Sequence, residues 1–264
     1  MRNGLTPRAE LLDHPEPEEH FLQLYGKDDR LLTENVSRYL SEGLKRGDGL
    51  LVIATAEHRG SLVRKLRDEG GYSKAVLEGR LVFLDAAATL NRFMVDGAPD
   101  QARFEAVIGE ALQGVRSRAV HTGIRAYGEM VGVLWLAGQC QAAVWLEQLW
   151  NELLQSSDVS LFCAYPIDVL SPEFHHHAVD ALLCAHTHVV PTNAALEAAL
   201  NRAMEEVLGD RVKALRPLIQ SNHRPAWAEV PKPEAMILWL RNNLPGSVEQ
   251  ILRRTREFCQ PLAS

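Results

Sequence analysis

The stretch His20–Glu57 constrains the fold most, because it reads as strand, short loop, long amphipathic helix and second strand. The apolar run Phe21, Leu22, Leu24, Tyr25 stops at Gly26-Lys27-Asp28-Asp29, and Leu32, Val36, Tyr39, Leu40 and Leu44 then recur at helical spacing. Gly43 and Gly47 crowd the helix end before Leu50-Leu51-Val52-Ile53-Ala54 starts the next strand. A phosphate-binding loop would sit between that first strand and its helix. Gly26-Lys27 lacks the run of glycines whose N–H groups cradle phosphates, however, and Asp28 stands where a magnesium-ligating Ser or Thr would follow the lysine. The frame is that of an NTPase and the loop chemistry is not.

The alternation continues down the chain. A helix from about residue 59 to 69 stops at Gly70-Gly71, and Gly79-Arg80 leads into the strand Leu81–Asp85. Asp100 precedes a helix with Phe104, Val107, Ile108, Ala111, Leu112 and Val115 on its apolar face. A strand over Gly123–Tyr127, a helix from Met130 to Leu154, the strand Val159–Tyr165, a helix after Pro172 and a short strand at His188–Val190 complete the series. Strand–helix repeats of this length need crossover connections, which predicts an α/β fold: a three-layer, mostly parallel sheet over 20–191 with helices on both faces.

Residues 1–19, with Pro7, Pro15 and Pro17 among charges, read as a flexible leader. Residues 192–264 read as an all-helical extension, with pieces over 193–208, 211–220, 233–244 and 247–258 separated by His223-Arg224-Pro225, Pro231-Lys232-Pro233 and Pro245-Gly246. Its apolar stripe (Leu196, Ala199, Leu200, Ala203, Val207) must be covered, as must the side chains near Trp227 and Trp239. A homodimer built through 193–258 would cover them; docking on the sheet domain is the other solution.

A net charge of −6 argues against a surface that coats nucleic acid. No apolar run is long enough for a membrane helix and the first residues hold no signal-peptide core, so a cytoplasmic location is expected. Cys140, Cys163, Cys184 and Cys259 show no CxxC spacing and read as reduced thiols.

Several motifs in the later half resemble a known family. Arg125, Gly128-Glu129-Met130-Val131, Leu134-Trp135, Gly138, Ala142-Ala143, Leu146-Glu147 and Leu149-Trp150-Asn151 are followed by Cys163-Ala164-Tyr165-Pro166 and His186-Thr187-His188-Val189-Val190-Pro191. Together with His20, Leu24-Tyr25, Gly43-Leu44 and Gly47, this order is similar to the MEDS domain, the sensory domain named for methanogens, methylotrophs and the dichloromethane dehalogenase regulator. The resemblance covers His20 to Pro191. It implies a layout like the RecA-like ATPases of the circadian-clock KaiC type without their phosphate loop, and a signal-input role beside a histidine kinase or a transcription regulator. Neither partner module is present in this sequence.

In parallel α/β sheets ligands sit beyond the C-terminal strand ends. That rule selects Tyr25, Gly26, Lys27 and Asp28 after the first strand, Glu57 and His58 after the second, Asp85 after the third, Arg125 and Glu129 around the fourth and Tyr165 after the fifth. The plainer reading is that Arg125 and Glu129 pair with each other or cap a helix. Glu57 stands where related ATPases, by resemblance, carry the acidic residue that activates water, yet one carboxylate without a phosphate cradle supplies little catalysis. His175, His176, His177, Cys184, His186 and His188 invite a metal reading, but adjacent helical side chains point about 100° apart, so few could share an ion. No metal or cofactor is assigned. Trp135, Trp145 and Trp150 read as core on one long helix, with Glu147 and Asn151 as polar members that could face a pocket. No nucleophile arrangement is visible and no catalytic residue is assigned. The expectation is a non-enzymatic sensory domain that binds a small molecule at the strand edge and relays it through the helical tail. A degenerate nucleotide-binding protein with weak ATPase activity and a ligand-free scaffold are the alternatives.

Overall fold

A computed structural model describes residues 11–68, 71–119, 123–221 and 230–259. Residues 1–10 of the leader, Gly70, and the segment holding His223, Arg224, Pro225 and Trp227 lie outside the described residues.

Six strands form one parallel sheet: β1 (His20–Leu24), β2 (Gly49–Ala54), β3 (Leu81–Asp85), β6 (Ile124–Gly128), β7 (Val159–Tyr165) and β8 (His188–Val190), in the order β3-β2-β6-β7-β1-β8. The two-residue strands β4 (Met94–Val95) and β5 (Ala98–Pro99) make a separate antiparallel ribbon, which the sequence did not signal. Period-2 alternation assigns the two faces. Phe21, Leu50, Val52, Tyr127 and Phe162 pack against α1 (Arg30–Arg46), α2 (Ala56–Arg67) and α3 (Tyr72–Leu77). Leu22, Leu51, Ile53, Ala126, Leu161, Cys163 and Tyr165 pack on the opposite face. That face is covered by α4 (Ala86–Asn91), α5 (Gln101–Arg116), α6 (Met130–Leu136), α7 (Cys140–Leu154) and α8 (His177–Ala185), the last preceded by a 3-10 turn at Pro172–His175. The α/β class and the helical extension are therefore present.

The single helix expected over Met130–Leu154 is two. Gly138 adopts φ +72°, its N–H bonds to the Trp135 carbonyl, and the Gln139 N–H bonds to the Leu134 carbonyl. This paired reversal satisfies the last carbonyls of α6 and ends it. The break puts Trp135 on a separate helix, and the five-residue spacing of Trp145 and Trp150 turns them to different faces of α7: Trp145 is 43 % exposed and its indole N–H donates to the Pro99 carbonyl.

The end of the leader is docked rather than loose. Leu12 is buried against the α1 face, Arg38 forks onto both carboxylate oxygens of Asp13 at 2.6 and 2.5 Å, and the Leu12 and Asp13 carbonyls accept from Arg125.

The tail consists of α9 (Leu196–Leu208), α10 (Arg211–Gln220), α11 (Lys232–Asn243) and α12 (Pro245–Cys259). Pro245, expected as a breaker, starts α12, where its missing N–H costs nothing. Leu196, Leu200, Ala203, Met204, Met236, Ile237, Leu238, Leu240, Ile251 and Leu252 join the same buried cluster as the sheet face beneath α5–α8. Glu234 fixes the joint by accepting from the Thr192 N–H at 3.0 Å and hydroxyl at 2.8 Å. The stripe assigned to a dimer is thus buried within the chain itself, mostly between α9 and the other tail helices.

Candidate functional site

The loops after β1, β2 and β6 meet over the α1–α2 face. Glu129, immediately after β6 and 2 % exposed, is the centre of the cluster. Its Oε2 accepts from the Thr55 N–H at 2.6 Å, and its Oε1 accepts from the Tyr127 hydroxyl at 2.5 Å and pairs with His58 Nδ1 at 2.5 Å. The far side of the His58 ring, Nε2, lies 3.0 Å from Asp29 Oδ2. Tyr25 meets the ring edge-on with centroids 5.5 Å apart. His58 and Glu129 are inside, with side chains 10 % and 3 % exposed, while the Asp29 side chain is 36 % exposed and forms the rim.

The electrostatics follow from this arrangement. Burial pulls the His58 imidazole toward neutrality, but hydrogen bonds and charge from Glu129 and then Asp29 outweigh it and raise its pKa from 6.5 to about 8. His58 is therefore a cation clamped between two carboxylates near neutral pH. Burial and the adjacent Glu129 carboxylate push the Tyr127 phenol well up, so it stays protonated and donates. Burial, Glu129, Asp29 and Glu57 together raise Tyr25 as well.

Of the residues singled out in the sequence, Tyr25, His58 and Glu129 converge here. Gly26, Lys27 and Asp28 border them, but Lys27 is exposed and Asp28 turns outward into a bidentate pair with Arg30 at 2.8 and 2.6 Å. Glu57 is exposed on the first turn of α2, and Asp85 caps α4 by accepting from the Ala88 N–H at 2.8 Å. Two placements are corrected. Arg125 lies near the start of β6, buried beside Asp48 Oδ2 at 2.9 Å and donating to the Tyr39 carbonyl at 2.8 Å; it neither joins the edge cluster nor pairs with Glu129. A cleft of about 550 Å³ opens beside it, at the N-terminal end of the strands, lined by Lys45, Arg46, Asp48 and Ser160 among others. Tyr165 points to the other face, where its hydroxyl donates to Glu147 Oε1 at 2.8 Å. Asp29 and Tyr127 were missed, although Asp29 is the residue just before α1 and Tyr127 shares its strand with Glu129.

The histidines considered for a metal disperse. His175 pairs with Asn242 at 2.8 Å, His176 caps α8 at the Ala178 N–H, and His188 pairs with Glu19 at 3.0 Å. His177 and Cys184 are exposed, and His186 alone of the set is buried.

The model of the MEDS domain, described as the methanogen/methylotroph, DcmR sensory domain, matches residues 19–187, well over half of the chain. The chain belongs to the MEDS family. A comparison with curated proteins finds no match. MEDS is a sensory-domain family, consistent with a signal-input role. The matched span runs from Glu19, just before β1, to Thr187, just before β8, so the MEDS unit holds the whole Asp29–His58–Glu129 cluster, and α9–α12 lie beyond it. Among the described residues no helix is long and apolar enough to cross a membrane.

Proposed function

We propose that this MEDS chain is a non-enzymatic signal-input module whose small-molecule ligand docks at the C-terminal strand edge, on the Asp29–His58–Glu129 cluster. The observation that carries the reading is the His58 cation, anchored inside by a buried carboxylate and satisfied outside only by the half-exposed Asp29. A ligand with an anionic or acceptor group can take Asp29's place on Nε2 and free the start of α1. Phosphates fit this edge poorly: the N-terminus of α1 carries the carboxylates of Asp28 and Asp29 where a phosphate loop would offer bare N–H groups.

A contiguous route leads from the edge to the tail. The loop after β1 lies against the loop after β7, since a Cβ on Gly26 would sit 3.4 Å from that of Asp168. Asp168 Oδ2 accepts from Arg256 of α12 at 2.6 Å, and the Leu170 carbonyl accepts from Arg241 of α11 at 3.3 Å. Movement of the first loop therefore presses on a segment that the tail grips at two points, and the tail in turn would present the signal to a regulatory protein such as a kinase or transcription regulator.

Native mass spectrometry tests the reading. The purified chain should carry an organic mass that is absent from His58→Gln. Retention of that mass in the variant, or failure of any compound in a broad thermal screen to raise the melting temperature, refutes it and favours a ligand-free interaction scaffold.

A further inference from the structure

On the sheet face opposite the edge cluster, four side chains from four separate elements point at one another: His20 from the start of β1, Glu147 from the middle of α7, Cys163 from β7 and His186 from the turn between α8 and β8. All four are buried, with exposures of 1, 0, 0 and 5 %. His20 Nε2 is 3.3 Å from Cys163 Sγ and 3.3 Å from Glu147 Oε2; His186 Nε2 is 3.3 Å from Glu147 Oε1; Cys163 Sγ is 3.6 Å from Glu147 Oε2. A tetrahedral zinc ion, with bonds of about 2.0–2.3 Å, sets its ligand atoms roughly 3.3–3.7 Å apart. The separations His20–Cys163, His20–Glu147, His186–Glu147 and Cys163–Glu147 fall in that range, with Glu147 turning Oε2 toward His20 and Cys163 and Oε1 toward His186, and one ligand atom from each residue lies within 4.8 Å of the others.

The surrounding hydrogen bonds fix which nitrogen faces the centre. His20 Nδ1 lies 2.9 Å from Asn151 Oδ1, and the Asn151 amide is itself oriented by donating to the Ala185 carbonyl at 2.8 Å. An oxygen on that side makes His20 Nδ1 the protonated nitrogen, and the neutral ring then turns its Nε2 lone pair inward. His186 repeats the arrangement, with Nδ1 against the Leu182 carbonyl at 2.7 Å, while its buried Nε2 has no hydrogen-bond partner among the described residues and faces Glu147 Oε1 at 3.3 Å. An outer acceptor on Nδ1 with Nε2 free inward is how metal-ligating histidines are held. Tyr165 completes the outer ring from Glu147 Oε1.

Charge gives an independent reason. With both imidazoles neutral, two inward lone pairs face a fully buried carboxylate whose donors are the Tyr165 hydroxyl and the weak, long Cys163 thiol contact, and a buried carboxylate met by no cation is costly. A divalent cation bound by one carboxylate, one thiolate and two neutral imidazoles is neutral overall.

We propose that His20, Glu147, Cys163 and His186 form a closed binding site for a zinc-type divalent cation. Two imidazoles, a thiolate and a carboxylate suit zinc rather than calcium or magnesium, and four protein ligands with no open position make the site structural. On binding, the Cys163 thiol gives its proton to solvent and its sulfur lone pair to the metal. The ion would tie β1 and β7 to α7 and to the turn before β8, joining the two ends of the MEDS unit. The site is distinct from the Asp29–His58–Glu129 cluster and does not rest on the ligand reading made for it.

The full chain, produced in zinc-supplemented medium and dialysed against metal-free buffer, should retain about one zinc per chain by elemental mass spectrometry. Exchange into cobalt(II) should give tetrahedral d–d absorption and a thiolate-to-cobalt charge-transfer band. Cys163→Ser should abolish that band, and His186→Gln should weaken metal affinity tenfold or more. Should either variant fail to fold, the wild-type cobalt spectrum decides alone. A zinc-free wild-type chain that takes up cobalt without the thiolate band overturns the proposal in favour of an imidazolium–carboxylate pair at the centre. The same spectrum persisting in Cys163→Ser overturns it in favour of surface histidines.

Discussion

The His58 clamp makes stability depend on pH in a defined window. Because the folded protein raises this imidazole from 6.5 to about 8, the bound proton stabilises the fold. That contribution is fully present below about pH 6.5 and is lost as pH rises through about 8. A displacement of this size corresponds to about 2 kcal/mol if all of it is realised. The Asp29 side of the clamp is 36 % exposed, and solvent screening there reduces the expected share to about 1 kcal/mol. For a domain of this size that is roughly 2–4 °C in melting temperature. The assay is a set of thermal melts between about pH 6 and about pH 9 on the wild type and His58→Gln, which keeps a donor for Glu129 but cannot titrate. The other histidines contribute alike to both proteins, so the difference between the two profiles isolates His58. The difference should shrink by about 1 kcal/mol across the window. Parallel profiles, or a wild type that gains stability relative to the variant as pH rises, would refute the argument.

Further consequences can be checked separately. The chain should hydrolyse neither ATP nor GTP above a Lys27→Ala, Glu57→Ala control; turnover that vanishes in the double variant would promote the ATPase alternative. Gly43→Ala should cost about 1–3 kcal/mol in denaturant unfolding, because a Cβ there would lie 2.7 Å from Leu50 Cδ2 and 2.8 Å from Arg125 Cδ in a packed interior; an unchanged midpoint would show that both side chains yield freely. Truncation after Pro191 should leave a chain that binds ANS and melts at lower temperature, since it uncovers apolar surface now buried by the tail. Its melting unchanged, with no dye bound, would mean that the tail docks more loosely than its buried side chains indicate.

How much of this was legible in the sequence depends on what each feature rests upon. Apolar runs bounded by turn residues located β3, β7 and β8 with their observed limits and β2 to within one residue, and residues following the strands led to His58 and Glu129. The pairing of Arg125 with Glu129 was excluded by arithmetic already available: four strand residues span about 13 Å, so a side chain near the start of β6 cannot reach one past its end. Tyr165 was misplaced because face, and not only strand end, decides where a side chain goes; it shares parity with Leu161 and Cys163, which point to the α5–α8 side. The break at Gly138 needed the backbone conformation, since an amphipathic pattern continues through it.

The four-donor cluster shows where sequence reasoning meets its physical limit. Glu147 and Asn151 were recognised as polar residues on an apolar helix, and both do face inward, one as a donor to the centre and the other as the partner that orients His20. What no local pattern supplies is the strand order. β1 lies between β7 and β8, with His20 opposite Leu161 and Leu22 opposite Cys163. Only that insertion of the first strand between the last two brings position 20 beside positions 163 and 186. Crossover rules require parallel neighbours but leave several orders open, and selection among them falls to non-local packing. The same insertion aligns the loop after β1 with the loop after β7, where Gly26 meets Asp168 and Asp168 meets Arg256. Both the proposed cation site and the route to the tail therefore rest on one topological choice, and a ligand that shifts β1 relative to β7 would be felt at both.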